Sequence, residues 1–272
     1  MNSLKQCLRL SAIFIMLLLN TACKKNKALK PEDPPKKEPE KVCIPVKLET
    51  DGLILNLKYK ENSNLLTAIE ENNGEKTLIS YTAEQKPSKL EKFKNGVLYR
   101  TVFYEKDNMQ SIKRAVLFNY DHLMDGYIPQ GDYRFQYNSN NLPAEIKYHN
   151  SAGNPVKLHS MTYHSSGNLT NVSILNYPDQ TSTVKYTSDD RKGIAIHISK
   201  NWLFALESEH WFLSSAPNNI LSYVRSGTGA EQLSFSYEYN AEGYPSKMSI
   251  TRNKTVQQIK ITYKELPLQS VQ

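Results

Sequence analysis

An all-β fold is predicted for this chain: a long antiparallel sheet of tandem hairpins, curled into an open, barrel-like or half-pipe form. Three observations predict it. A tyrosine-led unit of about 23 residues recurs from residue 54 onward, the signature of a repeat architecture. Stretches such as Ser234–Tyr239 and Ile259–Tyr263 alternate apolar and polar residues, the period of a strand with one buried face. No stretch sustains a helical period, so hairpins connect the strands and the sheet is antiparallel. The chain has 272 residues, 17 of them Tyr. Counting Gly and leaving out Tyr, about 37% of it is apolar, below the usual 45–50%. That excludes a helical membrane protein and predicts a thin core.

Residues 1–22 read as a lipoprotein signal peptide. Lys5 and Arg9 precede a short apolar run, Leu10–Leu19. About ten such residues are too few to span a bilayer, which takes roughly 20. The run ends Leu19-Asn20-Thr21-Ala22-Cys23, small residues before a cysteine, and this resembles the lipobox of bacterial lipoproteins. Asn20 departs from the usual aliphatic residue at its position. The resemblance implies that Cys23 becomes the first mature residue and carries lipid, including palmitate. More than one acyl chain then makes a stable membrane anchor, at ~0.8 kcal/mol per buried CH₂.

Residues 23–41 are the acylated Cys followed by a tether. Lys24–Lys41 holds four Pro, many charges and almost nothing apolar, so it cannot offset its ordering entropy. Of the formal charge of +7, residues 1–22 carry +2 and residues 24–42 carry +3. The remaining +2 gives no basic footprint for nucleic acid. Cys7 leaves with the signal and Cys23 is acylated, so Cys43 has no internal disulfide partner. It is expected to be a small buried residue of the first strand.

Residues 42–272 form the repeat domain. Tyr163, with Gly167, Val172 and Ile174, shows the unit best, and Tyr239 with Gly243, Met248 and Ile250 keeps the spacing. Tyr137 with Ile146 has Asn141 at the Gly position. Tyr81 with Leu90 lacks the Gly, Tyr59 with Ile69 is one residue longer, and Tyr104 with Ile112 is one shorter. Tyr186 and Tyr263 open units with degraded or missing second halves. The Asn, Ser and Gly residues after each Tyr suit a turn that needs positive φ. Asn95-Gly96 and Asn73-Gly74 signal tight hairpins. The inward set is expected to hold Tyr81, Tyr99, Tyr137, Tyr163, Tyr186, Tyr237, Tyr239 and Tyr263. Insertions fall near 115–134 and 190–217. The second holds both Trp and is read as a segment packing against or plugging the curled sheet.

With its lipobox and tether, the chain resembles a family of Bacteroidota lipoproteins of unknown function that carry YD/RHS-like repeats. The resemblance covers roughly residues 54–264. It implies a curved antiparallel sheet and export, with no established activity. Lys24-Lys25-Asn26-Lys27, in place of acidic residues after the Cys, favours the periplasmic face of the outer membrane.

Trp202, Phe204, Trp211 and Phe212 are the candidate ligand-binding residues, suited to stacking on a sugar ring or covering an apolar ligand. They would equally fill the core of a curled sheet, and that use is favoured because the sheet needs a filler. His159 and His164 read as solvated residues on opposite faces, not metal ligands. Glu207 and Glu209 share a side if extended, as an acid–base pair would, or belong to a solvated loop. Asp189-Asp190-Arg191-Lys192 reads as a charged turn. No nucleophile elbow, zinc-protease, phosphate-loop or dinucleotide motif occurs. The expectation is a non-enzymatic binding or scaffold module, without cofactor or metal, tethered to a membrane and contacting an envelope protein or glycan. A carrier of an apolar ligand and a glycan hydrolase built on Glu207 or Glu209 are the alternatives. Cys23→Ser is expected to abolish labelling by radioactive palmitate; unchanged labelling would remove the anchor.

Overall fold

In a computed structural model the described residues are 40–109, 111–198, 203, 206 and 217–268. The alternating stretches form sixteen strands. They are β1 (Lys41–Thr50), β2 (Leu53–Tyr59), β3 (Leu66–Glu71), β4 (Glu75–Tyr81), β5 (Pro87–Lys94), β6 (Val97–Lys106), β7 (Ile112–Asp121) and β8 (Gly126–Tyr137). There follow β9 (Pro143–Asn150), β10 (Pro155–Tyr163), β11 (Leu169–Asn176), β12 (Gln180–Lys192), β13 (Asn218–Gly227), β14 (Glu231–Tyr239), β15 (Pro245–Arg252) and β16 (Thr255–Pro267). Each pairs antiparallel with its successor, and β1 pairs with β16, Leu48 opposite Ile261. The sheet is therefore a closed barrel. The free edge strands that an open half-pipe would carry do not exist, because ring closure satisfies both.

Alternation of direction gives the barrel two unlike rims. Odd-to-even hairpins lie at the far rim, opposite the start of β1, and the tightest use two-residue turns: Asn95 and Gly96 take φ 50° and 81°. Even-to-odd turns lie at the near rim. There the residue after the repeat tyrosine opens a turn whose fourth member is left-handed: Gly167 (φ 87°), Gly243 (φ 80°), Asn141 (φ 58°) and Gln85 (φ 59°). In the turn after Tyr137 the side chain of Asn138 accepts the N–H groups of Asn140 and Leu142. The turn is thus closed by its own sequence.

The repeat tyrosine has a mechanical role that spacing alone does not reveal. The strand that follows each of Tyr59, Tyr81, Tyr137, Tyr163 and Tyr239 bulges beside the tyrosine, leaving Thr67, Ser88, Ala144, Thr170 and Ser246 unpaired in that ladder. The odd–even pairs splay towards the near rim: the β3–β4 ladder ends at Ala68 opposite Leu78. Tyrosine hydroxyls fill the wedge. Tyr59 donates to the Pro45 carbonyl at 2.6 Å, Tyr81 to Leu66 at 2.7 Å and Tyr137 to Ile112 at 2.6 Å. Tyr163 donates to Pro143 and Tyr237 to Ile220, each at 2.7 Å. Each bond satisfies a carbonyl that the ladder abandons. Burial raises the phenol pKa of Tyr81, Tyr137 and Tyr163, so the donor proton stays in place. One unit is framed differently from the expectation: Lys106, not Tyr104, stands opposite Ile112 at the tyrosine position.

Inward residues from around the ring, among them Leu57, Ile69, Leu90, Val102, Leu117, Phe135, Phe235, Met248 and Ile261, form one buried cluster. Tyr99 does not join them. It points outward, and its hydroxyl bonds Glu75. The segment 115–134 is an ordinary hairpin with long strands, β7 and β8, so the extra length of its unit goes into the ladder. His159 is also unlike its expectation. It points into the barrel, where burial, then Lys157 and Arg225, push its pKa down to about 4.

Two outcomes follow. Tyr81→Phe orphans the Leu66 carbonyl and is expected to lower stability by about 1–3 kcal/mol, read as a lower urea midpoint at unchanged slope. His159 binds its proton more weakly folded than unfolded, so its contribution is intact above pH ~6.5 and lost as pH falls towards 4. That loss, on the order of 2–3 kcal/mol, should vanish from the pH–stability curve of His159→Gln.

Candidate functional site

The break in the repeat between β12 and β13 builds the most elaborate part of the near rim. Its neck is narrow. The Gly193 N–H donates to the Pro217 carbonyl at 2.7 Å, and a Cβ on Gly193 would stand 2.8 Å from that oxygen, so only glycine fits. Three asparagines clamp the neck. Asn168 and Asn218 exchange hydrogen bonds, Asn168 Nδ2 to Asn218 Oδ1 at 2.7 Å and Asn218 N to Asn168 Oδ1 at 3.0 Å. The buried Asn219 donates from Nδ2 to the Lys192 carbonyl and to Asp189 Oδ2. Asp189 also accepts from the backbone of Asn219 and Arg191 and from the Tyr239 hydroxyl. Asp189 is thus the anchor of the neck, a larger part than the charged turn read from its neighbours.

Beyond the neck the chain enters the barrel. Ile194, Ala195, Ile198 and Leu203 are each at most 4% exposed and belong to the same cluster as the inward strand residues. Leu206 packs on that cluster, and its carbonyl accepts the Tyr133 hydroxyl at 3.2 Å. The described part of the segment therefore plugs the barrel. Trp202, Phe204, Trp211 and Phe212, with Glu207 and Glu209, lie outside the described residues, as does Cys23.

A buried polar knot fastens the plug to the wall. His197 Nε2 lies 2.9 Å from the Tyr244 hydroxyl, which accepts the Cys43 N–H at 3.4 Å. Nε2 and the phenol oxygen share one hydrogen bond, whose donor is set by the imidazole tautomer. Burial and then Lys192 lower the His197 pKa. Asn64 Nδ2 holds the His197 carbonyl at 2.7 Å, and the Lys192 ammonium sits 4.5 Å from the centre of the Tyr244 ring. Cys43 is buried, and burial, then Glu242 and Glu265, raise its thiol pKa. A thiol so placed is a packing residue, not a nucleophile.

Two surface depressions flank these features. One of about 410 Å³ opens where β11 and β12 part beyond the Asn171–Lys185 pair, beside His164, Ser166 and Asp190. His164 Nδ1 meets the Ser166 hydroxyl at 2.9 Å, but it also accepts the Ser166 N–H, and the hydroxyl accepts Asn168 Nδ2. That arrangement closes a turn and leaves no orienting group for a catalytic base. The second, about 450 Å³, is an outer groove between Glu70, Lys76, Leu78 and Phe93 near the far rim. No group of three His, Cys, Asp or Glu suited to a metal occurs among the described residues.

On the outer wall β6, β7 and β8 carry a cluster that the sequence reading missed. Phe103, Phe118 and Tyr127 stand edge to face with centroids 5.7–6.1 Å apart, and Tyr120 continues the row at 5.3 Å from Tyr127. Its signal was the apolar run Ala115-Val116-Leu117-Phe118, which fills both faces of a strand instead of one. Below it Asp132 bonds Arg114 and Arg134 at 2.8 and 2.9 Å. Burial pushes the Asp132 pKa up, and the two guanidinium groups hold it below the ordinary carboxylate value.

No known protein family and no curated protein matches the sequence. Among solved structures the chain is similar to a porin-like protein from Bacteroides uniformis ATCC 8492, at 11% identity and TM-score 0.50, covering 83% of this chain and 96% of that one. It is similar also to a porin-like protein from Bacteroides vulgatus ATCC 8482, at 13% identity and TM-score 0.50, covering 82% and 99%. At identities this low the shared property is the antiparallel barrel fold.

Proposed function

We propose that this chain is an envelope lipoprotein, anchored through Cys23 on the periplasmic face of the outer membrane, whose barrel is a non-enzymatic binding or scaffold module. The observation that carries the reading is the occupied lumen. A carrier or a pore needs interior space, and Ile194, Ala195, Ile198 and Leu203 of the chain itself take it. Contact with a partner is left to the outer wall and the rims.

The wall itself supports an anchor over a barrel that crosses the bilayer. Outward positions hold ion pairs such as Lys47–Glu49, Lys58–Glu70 and Lys89–Glu91. Such pairs contribute little to stability, ~0–1 kcal/mol, but they are well solvated. Membrane-spanning barrels have the inverse pattern, apolar outside and polar within. The expected partner class is an envelope protein or a glycan.

Native mass spectrometry of the full chain released from its membrane tests the reading. The expected spectrum is the chain with its acyl groups and no further apolar molecule. Stoichiometric co-purification of a lipid or other apolar compound would replace it with the carrier reading.

A further inference from the structure

The geometry points to a second copy of this chain as the occupant of the aromatic face on β6, β7 and β8. Leu123 is 99% and Met124 69% exposed at the tip of the β7–β8 hairpin. Phe103 and Tyr127 continue the surface down the wall, each more than a third exposed. From these fractions the four residues expose on the order of 500 Å², within the range of the largest apolar patch on a monomer. Two such faces would remove up to ~1,000 Å² from water, the least that a specific interface buries.

The chemistry of the tip argues against a lipid surface. The Asp121 carboxylate caps the N–H groups of Leu123 and Met124, and Asp125 bonds the Tyr120 hydroxyl. Burying the apolar tip in a bilayer would carry two carboxylates with it. A sheet face packs against another sheet face at ~10 Å. Two-fold symmetry supplies one, because the same patch meets itself. The site is also accessible to a second copy. β7 stands six strands around the ring from β1, and the exposed tip is at the rim opposite Lys41. The inference does not depend on the anchor or on the partner class proposed above.

The test is cysteine crosslinking of the full chain in producing cells that carry two differently tagged copies. Leu123→Cys with a bis-maleimide is expected to give a band of twice the monomer mass that contains both tags. Val256→Cys, exposed on β16 far around the wall, is expected to give none. Met124→Lys touches no core residue and should cut the crosslinked yield at least tenfold; Tyr127→Lys should do the same at unchanged circular dichroism. Absence of the double-mass band, a band with one tag only, or a yield indifferent to Met124→Lys would overturn the proposal.

Discussion

A ring of sixteen strands encloses more space than its own side chains easily fill, and everything else in this molecule answers to that constraint. Barrels of this strand number in membranes leave a water-filled channel. Here most inward positions are apolar, and water against them would cost ~25 cal/mol per Å². The chain meets the demand in two ways. It uses tyrosine at many inward positions, which gives large area with a polar end. It also interrupts its own repeat after Lys192 and sends Ile194, Ala195, Ile198 and Leu203 inside. The low apolar content of the whole chain is compatible with a filled barrel only because one segment serves as core for many strands at once.

The tyrosine clips link the repeat in the sequence to this geometry. The tyrosine continues the inward alternation of its own strand, as Tyr59 follows Leu55 and Leu57, while the ladder on its other side stops two or three residues short of the near rim. The opened wedge exposes carbonyls such as that of Leu66, and the phenol reaches them. Aromatic filling and hydrogen-bond closure are therefore one interaction, which explains why phenylalanine does not stand at these positions. The exceptions are instructive. Tyr239 occupies the repeat position but bonds Asp189, because the start of β13 is committed to the neck; Tyr237 makes the clip to Ile220 instead.

Much of this was legible in the residues. The tyrosine unit, the Asn95-Gly96 turn and the Gly167 and Gly243 positions each carry a local signal, and local signals survive without a fold. Gln85 was not legible, since nothing marks a glutamine as left-handed until the turn around it exists. Ring closure depends on Leu48 finding Ile261 across more than two hundred residues, which no local period encodes. Tyr99 lies in Val97–Tyr104, where both parities are apolar, so its face could not be assigned. At the plug, the apolar break was visible, but the clamp of Asn168, Asn218 and Asn219 has the composition of a loop. His197 and Tyr244 read as isolated polar residues until the fold joins them to Cys43.

The Leu268 N–H donates to the Glu40 carbonyl at 2.7 Å, so the last described residue meets the first beside the β1–β16 seam. The seam has the same ladder as any other pair of neighbouring strands. Where the polypeptide is cut is thus immaterial to the barrel's architecture. A circular permutant joined there by a short linker and reopened at the exposed Asn253–Lys254 turn would keep every strand neighbour it now has, and both its ends would lie at the opposite rim.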